Sequence, residues 1–289
     1  MADITKPNAV GAQFESLKVA IVGGTGGIGR SLSRLFASGG ADVIEVGQTF
    51  RDADQKGIEF IKADLSSMSE AKRVADDLPA ENLDIVIFTV GIFASYHKEE
   101  TSEGLEKDMA ASYLNRLVMI RRMAPRLGKE RRKSSLKPRV FIYGYPGTNK
   151  LGNLDDLNSE KSYKVMTAHM NTVAGNEALV LDSASKYPNA DFFGMNPGLI
   201  KTNIRSNLMG AGTLQFRLTE WIIGFFCQSV DDYAKKIVPI MSSSDLKASS
   251  GTMFNNYGKE IPSSPGLTQE YVSKFITQSE QLVEKWLQR

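Results

Sequence analysis

Short apolar runs alternate along the chain with longer segments whose apolar residues recur at helical spacing. The runs lie at 19–22, 41–46, 58–63, 83–90, 140–145, 191–195 and 251–255, and each has the length of a strand. The run at 83–90 is almost continuously apolar, which indicates a central parallel strand buried on both faces. Segments at 30–38, 231–241 and 268–286 show the helical period. The alternation predicts an α/β protein with a doubly wound parallel sheet of about seven strands.

A glycine-rich turn follows the first predicted strand. Five glycines occupy the seven positions from Gly23 to Gly29, and helix-forming sequence begins at Arg30. The free N–H groups and the partial positive charge of a helix N-terminus favour a bound phosphate, and a side chain would hold a pyrophosphate away from the backbone. The order of strand, turn and helix therefore predicts a dinucleotide site. A glycine turn with only a structural role is the alternative.

The spacing of Gly23, three residues and then Gly27-Ile28-Gly29 resembles the TGxxxGIG signature of the short-chain dehydrogenase/reductase family, with Val22 where the family usually has Thr. Later segments extend the resemblance over about residues 17–257, and their amino-acid sequences are similar to those of a fungal branch of aldehyde reductases. The resemblance implies a single Rossmann-like domain at 17–289 after a loosely held tail at 1–16. It also implies an NADH or NADPH site formed by Gly23, Thr25, Gly26, Gly27, Ile28, Gly29, Arg51, Asp64, Leu65, Gly91, Pro197, Gly198, Ile200 and Thr202.

The tip of the second strand usually decides which of the two cofactors such a protein binds. Gly47 stands where many NAD-using relatives carry Asp, and Arg51 lies close by, which favours the 2′-phosphate of NADPH. The related fungal reductases are associated with NADH, and Arg51 is equally consistent with a solvated loop residue, so the choice stays open. Asp64 matches an Asp that contacts adenine in the family; its alternative role is to cap the helix that begins near Ser67.

The family's catalytic tetrad of Asn, Ser, Tyr and Lys is incomplete in this sequence. Ser112 falls at the Asn position, and Asn115 has the wrong spacing to replace it. Gly144 and Tyr145 fall where a Ser-Ser pair is usual. Tyr145 therefore either polarises a substrate carbonyl or only narrows the pocket.

Tyr163 matches the proton-donating Tyr of the tetrad, but Thr167 stands where Lys is expected one helical turn later. A tyrosine without this lysine keeps a pKa of about 10 and stays protonated at neutral pH, so it can donate a proton to a reactive aldehyde. Alcohol oxidation needs the phenolate, which is roughly a thousandfold scarcer at neutral pH. His169 and Asn171 are candidate replacement donors, although a structural or surface role is favoured for His169.

These residues predict an NAD(P)H-dependent oxidoreductase that reduces small aldehydes, with Tyr163 as proton donor and Tyr145 or Ser112 in support. A redox-silent NAD(P)-binding protein, acting as a sensor or as a subunit of an assembly, is the alternative. The Pro197-Gly198 segment resembles the family's nicotinamide-facing turn and favours the enzyme, whereas the altered tetrad favours the silent protein.

Composition narrows the remaining possibilities. A net charge of +2 and a basic run at 121–139 without interleaved aromatic residues give no argument for nucleic acid. The single cysteine, Cys227, excludes an internal disulfide and zinc-finger spacing, so no metal is expected, and it suits a cytoplasmic protein. No apolar run reaches the ~18 residues of a membrane span. The apolar segment at about 203–229 is predicted to form a substrate lid, and the family resemblance implies a homo-oligomer, either a dimer or a tetramer.

Overall fold

A computed structural model describes residues 13–93, 95–130, 137–200 and 228–287 of the chain. Within these ranges a single eight-stranded sheet has the order β3-β2-β1-β4-β5-β6-β7-β8. The strands are β1 (Lys18–Val22), β2 (Asp42–Gly47), β3 (Ile58–Lys62), β4 (Ile85–Phe88), β5 (Arg139–Tyr143), β6 (Asp191–Met195), β7 (Met253–Phe254) and β8 (Glu260–Ile261). All neighbouring pairs are parallel except β7 and β8. The predicted doubly wound α/β fold is thus confirmed, with one short antiparallel edge strand that the hydrophobic pattern did not reveal.

Helices cover both faces of the sheet. They are α1 (Gly27–Ser38), α2 (Met68–Asp77), α3 (Lys107–Met109), α4 (Asn115–Met123), α5 (Val165–Lys186), α6 (Val230–Ser242) and α7 (Gln269–Leu287). A π-helical turn, Ala110–Leu114, joins α3 directly to α4. In the described parts of the chain, no helix has the length and apolar character needed to cross a membrane.

Alternating residues of β1 belong to two separate hydrophobic cores. Val19 and Ile21 belong to the core beneath α1 and α6, whereas Ala20 and Val22 belong to the core beneath α2, α4, α5 and α7. This two-residue period is what a strand buried on both faces produces. The tail is held at its described end, because Phe14 is buried and its ring packs against Phe36 with centroids 5.3 Å apart.

The strand order reverses between β1 and β4, and this reversal places the site. The first crossovers from β1 run towards β2 and β3, and the later ones run the other way through β4 to β7. Loops that leave the carboxyl ends of β1 and β4 therefore diverge and open a crevice at this edge of the sheet. The glycine turn after Val22 and the segment Thr89–Gly91 after Phe88 flank the crevice.

Candidate active site

The glycine turn packs so closely on the loop after β4 that side chains are excluded at two positions. A Cβ on Gly23, whose φ is +94°, would lie 2.4 Å from the backbone nitrogen of Val90. A Cβ on Gly29 would lie 2.3 Å from the carbonyl oxygen of Gly23. Gly26 immediately precedes α1, and a Cβ there would meet only Arg51 Nη1, at 3.7 Å. Open space in front of a helix N-terminus fits the phosphates of a dinucleotide.

Arg51 is attached to this turn. Its Nη1 donates to the carbonyl oxygen of Thr25 at 2.6 Å, so the guanidinium lies beside the open space at Gly26. Gly47 ends β2 and lies against the Thr25 side chain, since a Cβ on Gly47 would be 2.6 Å from Thr25 Oγ1. Arg51 thus places a positive charge next to the turn, near the tip of β2. The neighbouring Asp52 accepts a hydrogen bond from Arg30, with Nε and Oδ2 2.8 Å apart.

Asp64 and Leu65 follow β3, as the family resemblance implies. The exposed Asp64 carboxylate accepts hydrogen bonds from the N–H and the hydroxyl of Ser66, at 3.0 and 2.8 Å. Burial acts to raise the pKa of Asp64, but these bonds, together with the interactions of Gln48 and Lys107, outweigh it, and the pKa is lowered. The alternative role as a helix cap is not observed, because Ser67 caps α2 by accepting from the Glu70 N–H. Leu65 is buried, and its carbonyl oxygen accepts from Asn115 Nδ2.

A cavity of about 440 Å³ lies where the first loops meet α4, α5 and the segment after β6. Its volume falls in the range of small-molecule sites. It brings together many predicted site residues from distant parts of the chain, namely Ile28, Gly91, Ser112, Tyr145, Pro197, Gly198 and Ile200. Its apolar wall also includes Ile92, Phe93, Met166, Met170, Val173 and Leu199. Thr202 and most of the predicted lid, 203–227, lie outside the described residues.

Ser112 lies in the π-helical turn and contacts the loop after β4. Its hydroxyl accepts a hydrogen bond from the Ile92 N–H at 2.9 Å and donates one to Asp108 Oδ1 at 2.5 Å. π-helical turns are rare and often occur at functional sites. The structure therefore places Ser112 at the cavity, whereas the buried Asn115 bonds to backbone carbonyls away from it.

Arg116 is a buried cation in the cavity wall that the sequence analysis missed. Its guanidinium donates to the carbonyl oxygens of Tyr143 and Val90 and, at 2.7 Å, to Asn176 Oδ1. Burial lowers the pKa of Arg116 to about 9, against the attraction of Asp108, so the group remains protonated at neutral pH. A permanent positive charge in an apolar wall favours negative charge that develops on a bound substrate.

Asn176 also explains why no serine follows β5. A Cβ on Gly144 would lie 2.3 Å from Asn176 Cβ, so the structure has no room for a side chain at the position expected for serine. Tyr145, the next residue, lines the cavity, adopts a φ of +59° and is 40% exposed. A positive φ in a bulky residue is uncommon and marks a backbone conformation that the surrounding structure must hold in place.

Tyr163 is not among the cavity-lining residues, which departs from the role expected for it. It lies before α5, which begins at Val165, and its hydroxyl donates to the carbonyl oxygen of Ser95 at 2.6 Å. Burial, with a further contribution from nearby carboxylates, raises the pKa of Tyr163 to about 12. The hydroxyl is therefore a weaker acid than an ordinary tyrosine, and it already has an acceptor.

The cavity face of α5 carries different residues from those expected at the Tyr and Lys positions. Met166 and Met170, one turn apart, line the cavity, whereas Thr167 is exposed on another face. Asn171 is buried and holds the preceding loop, accepting from the Asn153 N–H at 2.7 Å. Neither Thr167 nor Asn171 therefore lines the site.

His169 does line the cavity, on the same face of α5. Its Nδ1 lies 2.8 Å from Oδ2 of Asp108, a carboxylate that is fully buried on α3. The imidazole stacks on Phe93, with ring centroids 4.0 Å apart, and its side chain keeps 18% of its exposure. The sequence favours a structural or surface role for His169, and nothing in its local pattern links it to Asp108, 61 residues earlier.

Known proteins resemble this chain in sequence and in structure. No family model matches the chain. An uncharacterized oxidoreductase of Saccharomyces cerevisiae is 54% identical over 278 residues, which cover 95% of this chain and 90% of that protein. A protein from Mycobacterium paratuberculosis has a similar structure, with a TM-score of 0.69 and 19% identity over 94% of this chain and 95% of that one.

A short-chain dehydrogenase from Shigella flexneri, solved in complex with NADP, superposes with a TM-score of 0.62. It is 15% identical and covers 85% of this chain and 99% of its own, so the likeness concerns the fold. Three observations indicate the same class of protein: the fold, the glycine turn at the strand-order reversal, and the 54% identity to the yeast oxidoreductase. This chain is accordingly an oxidoreductase in one family with the yeast protein, and its fold is that of the short-chain dehydrogenases/reductases.

Proposed function

We propose that the protein is an NAD(P)H-dependent reductase of small aldehydes. The observation that carries the proposal is one cavity shared by Ile28 of the glycine turn, Gly91 after β4 and the Pro197-Gly198 segment after β6. A nicotinamide ring and a small carbonyl compound need such a shared, largely apolar space for direct hydride transfer. The NADP complex of the structurally similar Shigella protein supports this cofactor class.

The cofactor's phosphates would lie at the turn Gly23–Gly29, and Arg51 would lie beside them. Asp64 and Leu65 would face the adenine end, and Gly91, Pro197, Gly198, Ile200 and Thr202 would face the nicotinamide end. When bound, NAD(P)H supplies the hydride. The chain's own residues orient the carbonyl, exclude water with their apolar wall and stabilise the negative charge that grows on the carbonyl oxygen.

Tyr163 and Arg116 favour reduction over oxidation. Tyr163 is unsuited as the base of alcohol oxidation because its pKa is raised, and Met166 and Met170 offer no base at the expected positions. Reduction needs a proton donor and stabilisation of an oxyanion, and the buried Arg116 cation supplies the second of these. An aldehyde is the favoured substrate because it is more electrophilic than a ketone and fits a cavity of about 440 Å³.

A redox-silent NAD(P)-binding protein is the second candidate. It is favoured by Met166 and Met170 on the cavity face of α5, and by Gly144, which leaves no room for serine. Such a protein would bind the cofactor in the same cavity without turnover. A cytoplasmic location and a homo-oligomeric assembly stay predictions from the sequence.

The deciding experiment measures the absorbance of NADH and, separately, of NADPH at about 340 nm with purified protein and a panel of short aldehydes. We expect aldehyde-dependent loss of absorbance. It should be absent in a Gly27→Trp control, because Trp would place a bulky side chain at the phosphate turn in a backbone conformation (φ of +49°) that favours glycine. Circular dichroism establishes that the control is folded. Cofactor binding by fluorescence without turnover of any aldehyde would favour the redox-silent protein.

A further inference from the structure

We propose that His169, oriented by Asp108, is the proton donor in aldehyde reduction. This role rests on the proposed reductase function and replaces the one expected for Tyr163. The arrangement that carries the proposal is an imidazole in the cavity wall whose Nδ1 is hydrogen-bonded to a fully buried carboxylate.

The position of His169 on α5 places the ring among the substrate-facing residues. Met166, His169, Met170 and Val173 all line the cavity, and their spacing of three and four residues defines one face of the helix. Phe93 stacks on the imidazole from the loop after β4 and limits its rotation. The donor is therefore held on the wall that the carbonyl compound must contact.

The hydrogen bond to Asp108 decides which ring nitrogen is available. Nδ1 lies 2.8 Å from Asp108 Oδ2, so in the neutral ring Nδ1 carries the proton. Within the described residues, Nε2 has no hydrogen-bond partner, which leaves this nitrogen for the substrate oxygen. A carboxylate at Nδ1 also stabilises the imidazolium that carries a proton on Nε2.

Asp108 is itself fixed in place. Ser112 donates its hydroxyl to Asp108 Oδ1, while Oδ2 contacts the histidine, so each carboxylate oxygen has its own partner. Ser112 thus acts on the substrate through Asp108 and His169, as a positioning residue. This gives Ser112, expected at the tetrad's Asn position, a role in the same proton-donating group.

The reaction balances with the cofactor class already proposed. The carbonyl carbon accepts a hydride, which brings two electrons, and the C=O π pair moves onto the oxygen. That oxygen takes the proton from Nε2 of the His169 imidazolium, so the products are the alcohol, NAD(P)⁺ and a neutral imidazole. Solvent returns a proton to Nε2 through the exposed part of the side chain.

Other charged and titratable groups surround the dyad and affect its pH dependence. The buried carboxyl of Glu106 is next to Asp108, and its pKa is raised to about 7 by burial. The cation of Arg116 interacts with Asp108 from α4, and Tyr163 lies close enough to Asp108 for the carboxylate to raise its pKa. Tyr145 lines the same cavity and is the competing hydroxyl donor.

The chain contains two histidines, His97 and His169, which makes a direct test practical. We expect His169→Gln to lower kcat by about 100-fold or more, the usual contribution of a positioned general acid, while NADPH binding by fluorescence is unchanged. The matched control His97→Gln is expected to turn over like the unaltered protein. Tyr163→Phe tests the donor that the sequence suggests. Tyr145→Phe tests the competing donor.

A measurement without turnover tests the hydrogen bond to Asp108. In ¹⁵N NMR spectra at alkaline pH, the His169 ring, assigned by its loss in His169→Gln, is expected in the Nδ1–H form. Asp108→Asn is expected to abolish that preference and lower kcat, because an amide can donate as well as accept.

Three results would overturn the proposal in distinguishable ways. Unchanged kcat in His169→Gln, with turnover intact in the unaltered protein, would remove His169 as donor and leave the reductase function standing. Absence of turnover in the unaltered protein, despite bound NADPH, would refute the reductase function and with it this catalytic role. Loss of kcat in Tyr145→Phe but not in His169→Gln would assign the proton to Tyr145 instead.

Discussion

The buried carboxyl of Glu45 makes stability depend on pH in a direction opposite to that of ordinary carboxylates. Glu45 lies on β2 directly beneath the glycine turn, and its side chain is fully buried. A Cβ on Gly24 would be 2.9 Å from Glu45 Cγ and 3.0 Å from Ser33 Oγ, so the space under the turn is filled. Burial raises the pKa of Glu45 to about 7, and the Ser33 hydroxyl opposes this rise only in part.

The size of the effect follows from the two pKa values. Glu45 titrates at about 7 in the folded protein and near 4.5 when exposed, and each unit corresponds to about 1.4 kcal/mol. Between these values the folded state holds the proton more tightly than the unfolded state, so the free energy of unfolding falls as pH rises. This decrease in the free energy of unfolding is absent below about pH 4.5 and complete above about pH 7, where it reaches ~3 kcal/mol.

Glu45→Gln should remove this loss, because an amide does not ionise. We expect urea unfolding at about pH 4.5 and about pH 8 to show ~3 kcal/mol less pH-dependent destabilisation in Glu45→Gln than in the unaltered protein. Glu106 has a similarly raised pKa but is present in both proteins, so its contribution cancels in the comparison. Glu59→Gln, at an exposed position on β3, is the matched control. Equal pH dependence in Glu45→Gln and in the unaltered protein would refute the reasoning.

Two further predictions concern the cofactor site. Gly29→Ala places a Cβ 2.3 Å from the Gly23 carbonyl oxygen and should cost ~1–3 kcal/mol of stability, whereas Gly26→Ala should cost less than about 1 kcal/mol yet still weaken NADPH binding. Thermal unfolding with and without NADPH measures both effects, and equal destabilisation by the two substitutions would contradict the packing argument. Arg51→Ala should weaken NADPH binding by about tenfold, ~1.4 kcal/mol, and NADH binding less, as measured by fluorescence titration. Equal weakening of both would show that Arg51 contacts something other than the 2′-phosphate.

The fold and the glycine turn were predictable because their signals are local. A strand buried on both faces must be apolar throughout, as β4 is. Only glycine fits at position 23, because a Cβ there would lie 2.4 Å from the backbone nitrogen of Val90. The orientation of side chains on α5 was harder to predict. Residues 171–180 of this helix are all buried, so its faces differ little in polarity. Without that contrast the sequence did not show that residues 166 and 170, rather than 163 and 167, face the cavity.

The charged residues of the cavity were not predictable for a different reason. Arg116 resembles a solvated helix residue, and only the fold shows that three acceptors from three elements surround its guanidinium. The contact of Asp108 with His169 joins residues 61 positions apart and depends on how α3 packs against α5. Such tertiary contacts leave no periodic signal in the chain.

The π-helical turn Ala110–Leu114 makes the site sensitive to the length of this segment. A π-helical turn amounts to one residue inserted in an α-helix, and each residue rotates a helix by ~100°. The extra residue also lets the Ser112 carbonyl oxygen accept from Asn176 Nδ2, at 2.9 Å, and Asn176 in turn holds Arg116. A single-codon deletion here would therefore turn Asp108 away from His169 while leaving every side chain of the dyad encoded. In a set of related genes, gaps in this segment should separate the reductases from the proteins that have lost the chemistry.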